Sequence, residues 1–107
     1  MSLYHPARED LELTAVLHAL SDAQRLRIVR ELSVDPTPRS CGSFDLGVSK
    51  STCTHHFRVL REAGVVAQQP IGTSKLTTLR REDLDARFPG LLDAVLAPSG
   101  APDGVLA

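Results

Sequence analysis

The hydrophobic positions of the first part of the chain recur at helical spacing. From Asp10, DLELTAVLHAL is apolar on most sides of a helix, which is typical of a short helix that packs against more than one neighbour. The next segment, SDAQRLRIVREL, has one apolar stripe and predicts that its arginines face outward, namely Arg25, Arg27 and Arg30. Ser21 and Gln24 have the spacing of a capping box, so Ser21 is the predicted N-cap of this second helix.

A loop and a very short helix follow. Two prolines in VDPTPRSCG predict a loop of free length. In SFDLGVSKS, Ser43 is the predicted cap of about one helical turn, and Gly47 ends that turn in a left-handed conformation.

The segment SKSTCTHHFRVLREAG predicts a helix with two distinct faces. Ser49 is its predicted N-cap and Gly64 its C-terminal stop. Four positions spaced i, i+3, i+4 and i+7 form one stripe that faces a core: Cys53, His56, Phe57 and Leu60. The rest of its surface is rich in hydroxyl and basic groups.

After Gly64, the pattern changes from helical to β. VVAQQPIGTSKLTTLR mixes β-branched residues with a Pro-Gly turn signal and predicts a two-stranded hairpin, at residues 65–69 and 75–79. REDLDARFPGLLDAVL returns to helix, and Pro89 either occupies a first turn or breaks that helix. We expect a flexible N-terminus at residues 1–9, one domain at 10–97 and a disordered C-terminal tail at 98–107.

This order of elements predicts a mainly α fold with a small β-hairpin. A short helix, a tight link and a longer capped helix make a helix-turn-helix pattern, and a hairpin directly after it is a wing. The length of 107 residues and the 42% hydrophobic content allow one modest core.

Charge is unevenly distributed, although the net charge is only −1. Residues 49–81 hold six basic residues and one acidic residue, a balance of +5. The balance is −4 from residue 82 onward and −2 over residues 1–20. Such asymmetry is typical of a basic binding face with acidic elements elsewhere, and equally of a solvated surface.

Several function classes fit the sequence poorly. No run approaches the length of a membrane span and the first residues lack a signal peptide, so we expect a cytoplasmic protein without a membrane partner. Cys41 and Cys53 are too few for a disulfide scaffold and are expected to be reduced thiols, with a redox switch as the alternative. Cys53 with His55 and His56 offers the residue types of a catalytic centre without its geometry, so no enzyme is predicted.

The sequence resembles the ArsR/SmtB family of winged-helix bacterial repressors. LSDAQRLRIVREL, VSKSTCTHHFRVLREAGVV and RREDLDARFPGLLDAVL carry the resemblance, which covers residues 10–97 in order. It implies a homodimer built on the first and last helices, with two recognition helices in successive major grooves. It also implies a repressor that releases operator DNA when a metal ion or another signal favours a second dimer geometry.

The predicted recognition helix supplies most of the candidate DNA contacts. Residues at the N-terminal end of such a helix meet base edges, and neighbouring basic residues meet phosphates. Ser49 is a candidate phosphate contact, Arg58 and Arg61 are expected to bind phosphates, and Lys75 would reach DNA from the wing. The complete predicted set is Ser49, Lys50, Ser51, Thr52, Thr54, His55, Arg58, Arg61 and Lys75.

A metal-responsive regulator is a weaker prediction. His55 and His56 point about 100° apart on a helix and do not easily share an ion, and the Cys53–His56 stripe faces the core. The helix that carries Asp83 has carboxylates and no histidine, unlike known metal sensors of the family. Nickel or zinc would need a dimer to gather its ligands, and the weak candidates are His5, His18, Asp83, Asp85 and Asp93.

The sequence leaves two alternatives open for its function. The near-neutral net charge is also compatible with a winged-helix protein-interaction module that does not bind DNA. A regulator controlled by a partner protein, rather than by a small effector, would leave the same pattern of residues.

Overall fold

A computed structural model describes residues 3–97 of the chain. The predicted tail at 98–107 lies outside the described residues. Within them, the structure has five α-helices and three short strands, in the order α1 (Leu13–Leu20), α2 (Ala23–Val34), β1 (Arg39–Ser40), α3 (Lys50–Glu62), β2 (Val66–Ile71), β3 (Ser74–Leu79), α4 (Arg81–Arg87) and α5 (Leu91–Leu96). This confirms the mainly α fold with a wing that follows a helix-turn-helix.

The N-cap of α2 is Asp22, and the prediction of Ser21 was wrong by one residue. The Asp22 carboxylate accepts hydrogen bonds from the backbone N–H groups of Gln24 and Arg25, at 2.8 and 3.1 Å. Ser21 instead ends α1, where its hydroxyl donates to the His18 carbonyl. Adjacent polar residues between two helices both fit a cap, and only the backbone geometry distinguishes them.

Arg25 is buried, which corrects the prediction that it faces outward. Its side chain donates to the Ala19 carbonyl at 2.8 Å and more weakly to the His18 carbonyl at 3.4 Å. These carbonyls belong to the last turn of α1, where backbone acceptors have no partner within the helix. Arg25 therefore fixes α2 to the end of α1.

The sheet has three strands, in the order β1–β3–β2, rather than the two of a simple hairpin. Both pairings are antiparallel, and β1 joins through Arg39 opposite Thr77 and Ser40 opposite Leu76. β1 lies in the segment that was predicted to be a loop. The hairpin turn is also tighter than predicted, because Pro70 and Ile71 still belong to β2.

The one-turn helix predicted from Ser43 to Gly47 is absent. A 3-10 turn at Cys41–Ser43 stands there, and no helix follows it before α3. The side chains of Phe44 and Leu46 are buried in the core, where the Phe44 ring packs against Phe57 of α3. Burial of Phe44 and Leu46 fixes the segment that leads into α3, although no α-helix lies between α2 and α3.

Pro89 and Gly90 divide the predicted final helix into α4 and α5. Gly90 has φ +84°, a conformation that favours glycine, so the break is fixed by sequence. The core residues of these helices are Leu84 and Leu92, both fully buried.

Residues 3–10, here called the strap, pack against the domain. The sequence predicted a flexible N-terminus at residues 1–9, yet the structure has a 3-10 turn at Arg8–Asp10. Arg80 donates to the Pro6 carbonyl at 2.7 Å, and Arg87 donates to the Glu9 carbonyl at 2.6 Å. Arg8 pairs with Asp83 at 2.6 Å. The strap thereby connects to the end of β3 and to α4.

Candidate nucleic-acid interface

The start of α3 is built by Ser49, as predicted. Its hydroxyl oxygen accepts from the Thr52 backbone N–H at 3.2 Å, donates to the Thr52 hydroxyl at 2.9 Å and lies 3.2 Å from the Ser51 hydroxyl. The hydroxyls of Ser51 and Thr52 each keep capacity for a further hydrogen bond, since each has one donor and two acceptor sites. Gly64 ends the helix with φ +86°.

The inner face of α3 packs on the core through Phe57 and Leu60 and on α2 through His56. Arg25 Nη1 donates to His56 Nδ1 at 3.3 Å, and His56 Nε2 lies 3.9 Å from the Asp22 carboxylate. Burial lowers the pKa of His56, Asp22 opposes that effect, and Arg25 and His55 add to it. The neutral imidazole therefore links α3 to the N-terminus of α2.

The outer face of α3 carries most of the predicted DNA-binding residues. Its exposed side chains are Lys50, Ser51, Thr52, Thr54, His55 and Arg58. Lys75, on β3, is half-buried and lines a cavity of about 280 Å³ together with Lys50 and Thr54. The structure thus brings the wing lysine beside the start of α3, which the sequence alone did not predict.

Arg61 was predicted to bind phosphates, yet its side chain is buried and lies off this exposed face. It is 9% exposed, and its guanidinium donates to Gln68 Oε1 at 2.8 Å and to the Tyr4 carbonyl at 3.3 Å. The Gln68 side-chain amide in turn donates to the Thr77 hydroxyl and to Cys41 Sγ. Arg61 holds the end of α3, the wing and the strap together, because a buried guanidinium must find acceptors.

Three residues that the sequence reasoning missed also line the cavity beside Lys50 and Lys75. They are Ser40 on β1, Thr73 in the hairpin turn and Ser74 at the start of β3. Their hydroxyls are donors suited to phosphate oxygens. The Thr-Ser pair of GTSK was visible as a turn signal, but the position of Ser40 depends on the unpredicted pairing of β1.

The weak metal candidates do not meet within the chain. His5 Nε2 accepts from the Gln68 backbone N–H at 2.9 Å and its Nδ1 donates to the Leu3 carbonyl, so both ring nitrogens are in use. Asp83 pairs with Arg8 and Arg80, which hold the pKa of that carboxyl below its usual range. His18 is exposed, and Asp85 and Asp93 each pair with Arg81. Residues 3–97 contain no group of three or more such side chains that could hold an ion.

Both cysteines are free thiols that line one cavity of about 340 Å³, together with Phe44 and Val48. Burial raises the pKa of the Cys53 thiol, and the charge of Cys41 adds to that effect. Cys53 is half-buried on the predicted inner stripe of α3. Its raised pKa disfavours the thiolate form that metal binding or nucleophilic attack needs.

Comparison with known proteins also identifies a helix-turn-helix domain in this chain. A helix-turn-helix domain profile matches residues 20–69. YceK of Bacillus subtilis, an HTH-type transcriptional regulator, is 35% identical over 82 residues, which are 75% of this chain and 82% of that protein. The chain belongs to the helix-turn-helix transcriptional regulators. Membership confirms that this regulator is not an enzyme.

Solved structures show the same fold. The regulator superposes on an ArsR family transcriptional regulator with a TM-score of 0.62 at 20% identity, over 77% of this chain and 90% of that one. HlyU from Vibrio cholerae gives a TM-score of 0.61 at 25% identity, over 77% and 88% of the two chains. The resemblance to ArsR-type winged helices is therefore confirmed. Within residues 3–97, no helix is long and apolar enough to span a membrane.

Proposed function

We propose that the regulator is a dimeric, cytoplasmic repressor that binds double-stranded operator DNA through α3 and the wing. The observation that carries the proposal is the exposed face of α3, with Lys50, Ser51, Thr54, His55 and Arg58, beside Lys75 across one groove. Ser49 and Thr52 support it by forming the cap that fixes the start of the helix.

DNA selection tests this proposal. Duplexes enriched by the purified regulator from a random pool are titrated by fluorescence anisotropy at several salt concentrations. Lys50→Ala and Arg58→Ala should weaken binding and lower its salt dependence, because each removes a phosphate contact. Arg81→Ala is the matched control, since Arg81 pairs with Asp85 and Asp93 on α4 and α5. Equal affinities for all four proteins would refute the assigned face, and failure to enrich any duplex would favour the protein-interaction module.

The homodimer is supported by apolar groups left exposed on α1. Leu13 and Leu17 are four residues apart, on one side of the helix, and are 44% and 43% exposed. A second copy that covers them would bury the apolar surface that a single copy leaves in water. Leu17→Asp should shift the mass measured by light scattering to that of a monomer. Val34→Asp is the control, because Val34 is 81% exposed on α2, and a dimer that survives Leu17→Asp refutes the assigned face.

Control by nickel or zinc stays a prediction. Of its weak candidates, His5 and Asp83 are occupied by internal hydrogen bonds, so His18 and Asp85 would need ligands from a second copy. Calorimetric titration of nickel, zinc and cobalt into the purified regulator tests it. Absence of stoichiometric binding would favour a non-metal effector or a partner protein.

A further inference from the structure

His56 lies where three helices meet. It is on the inner face of α3 and 7% exposed, and its Nδ1 atom is 3.3 Å from Arg25 Nη1 on α2. The same Arg25 side chain donates to the Ala19 carbonyl in the last turn of α1, at 2.8 Å. One guanidinium therefore connects the end of α1, the start of α2 and the middle of α3.

The contact with Arg25 fixes the form of the His56 imidazole. A guanidinium has donors and no acceptor, so His56 Nδ1 must be the unprotonated acceptor, and Nε2 carries the ring proton. Nε2 lies 3.9 Å from the carboxylate of Asp22, which already accepts from two backbone N–H groups as the N-cap of α2. The arrangement is thus complete when the imidazole is neutral.

Protonation of His56 would make this contact repulsive. Nδ1 would then carry a proton that faces the N–H of Arg25, and two cations would share one buried site. Asp22 offsets part of that cost, whereas His55, with its ring centre 6.0 Å from that of His56, adds to it when charged. Burial, with Arg25 and His55, outweighs Asp22 and lowers the pKa of His56 from its ordinary 6.5. On the α1 side the titratable group is the exposed His18, which lines a cavity with Val59 of α3.

This contact also lies between the two faces to which the proposed function assigns DNA and the second copy. Thr52 is four residues before His56, on the same line of α3, and is exposed on the outer face. Leu13 and Leu17 lie on α1, whose last turn Arg25 holds. The position of the α3 face relative to α1 therefore depends on the bond between Arg25 and His56.

We propose that neutral His56 is a positioning residue that holds α3 against α1 and α2 in its DNA-binding orientation, and that protonation of His56 releases operator DNA. The inference rests on the proposed binding of operator DNA. Binding that needs the neutral imidazole weakens as pH falls below about 6.5, by no more than about tenfold per pH unit, because one proton is involved. Protonation of exposed histidines has the opposite effect, since added positive charge attracts phosphates.

The first test follows DNA affinity against pH. The best selected duplex is titrated by fluorescence anisotropy at constant ionic strength, and the parent should lose about tenfold in affinity from about pH 7.5 to about pH 5.5. His56→Leu has no acceptor for Arg25 and should bind weakly throughout. His56→Asn should bind more tightly than His56→Leu and lose the pH dependence, because Asn Oδ1 replaces Nδ1 as an acceptor that does not titrate.

Two other histidines give controls for the pH profile. His18→Gln should keep the profile of the parent. His55→Gln should make the fall in affinity steeper, because it removes an exposed group whose positive charge attracts phosphates. Circular dichroism at the lowest pH checks the fold, and loss of the helical signal there would assign the fall to acid unfolding and overturn the proposal.

Nitrogen NMR of the histidine rings gives a second test that starts without DNA. In the free regulator at about pH 7.5, His56 should be protonated at Nε2 and not at Nδ1. Addition of duplex should lower the pKa of His56 further, because affinity and protonation are linked.

The possible failures are distinguishable. A protonated Nδ1 in the free regulator would overturn the bond from Arg25. A duplex affinity that does not fall with pH, or that falls equally in His56→Asn, would overturn the positioning role and leave DNA binding intact. A parent protein that binds no duplex at any pH would overturn the DNA-binding proposal and the release with it.

Discussion

Arg58 and Arg61 are three residues apart on α3, and their replacement by alanine should affect different properties. Arg61→Ala should lower the stability of the fold, whereas Arg58→Ala should weaken DNA binding. Arg61 is buried, and its two hydrogen bonds, at 2.8 Å to Gln68 Oε1 and 3.3 Å to the Tyr4 carbonyl, come from a charged donor. Such bonds contribute about 1.5–3 kcal/mol each, and the longer one falls at the low end. Arg61→Ala should therefore reduce the free energy of unfolding by about 3–4 kcal/mol. Arg58 is exposed, and Arg58→Ala should change stability by less than about 0.5 kcal/mol.

Urea denaturation followed by circular dichroism measures the first effect, at one protein concentration for all variants. With a slope of about 1–3 kcal/mol per molar urea, Arg61→Ala should lower the midpoint by at least about 1 M. DNA titration at low temperature measures the second effect: Arg58→Ala should lower the salt slope, and folded Arg61→Ala should keep it. The double variant Arg61→Ala with Gln68→Ala should lose less than the sum of the single variants, because it also removes the Gln68 Oε1 acceptor that Arg61→Ala alone leaves without its donor.

Two results would refute this reasoning. An Arg61→Ala midpoint equal to that of the parent would mean that the network around Gln68 does not stabilise the fold. A salt slope lowered by Arg61→Ala in the folded protein would return Arg61 to the DNA face.

Three further predictions concern caps, a glycine and pH. Asp22→Ala should cost about 1 kcal/mol of stability through the lost cap of α2, whereas Ser21→Ala should cost clearly less; equal midpoints in urea would contradict this. Gly64→Ala should destabilise far more than Gly72→Ala, because both have positive φ but only a Cβ at Gly64 would clash with the buried Leu11 side chain; thermal denaturation ranks the two. Burial lowers the pKa of His5 from its ordinary 6.5, so protonation favours the unfolded chain and stability falls as pH drops below about 6.5. His5→Gln should reduce that loss, and an identical pH profile would refute the role of His5.

Local patterns predicted what depends on local chemistry. The cap at Ser49, the stop at Gly64 and the inner stripe of α3 follow from residue type and helical spacing, and the structure has them at the predicted positions. The break at Pro89, left open as one of two outcomes, also has a local cause.

Features that depend on distant partners escaped prediction. β1 has two residues, too few for an alternating pattern, and exists because β3 offers an edge to Arg39 and Ser40. Arg25 and Arg61 look like surface arginines in the sequence, since nothing local reveals the carbonyl and amide acceptors that bury them. The same holds for the cavity beside the start of α3, where pairing of strands places Lys75 near Lys50.

The strap has a consequence for the order in which the chain folds. Arg8 pairs with Asp83 across 75 residues of sequence, and Arg87 reaches the Glu9 carbonyl across 78. Contacts of such separation close large loops and form late, whereas α3 and the hairpin need only near neighbours. During synthesis, α3 and the wing can assemble before the ribosome has released α4. The strap should therefore be the last part to dock, and its docking should appear as the slowest step of refolding.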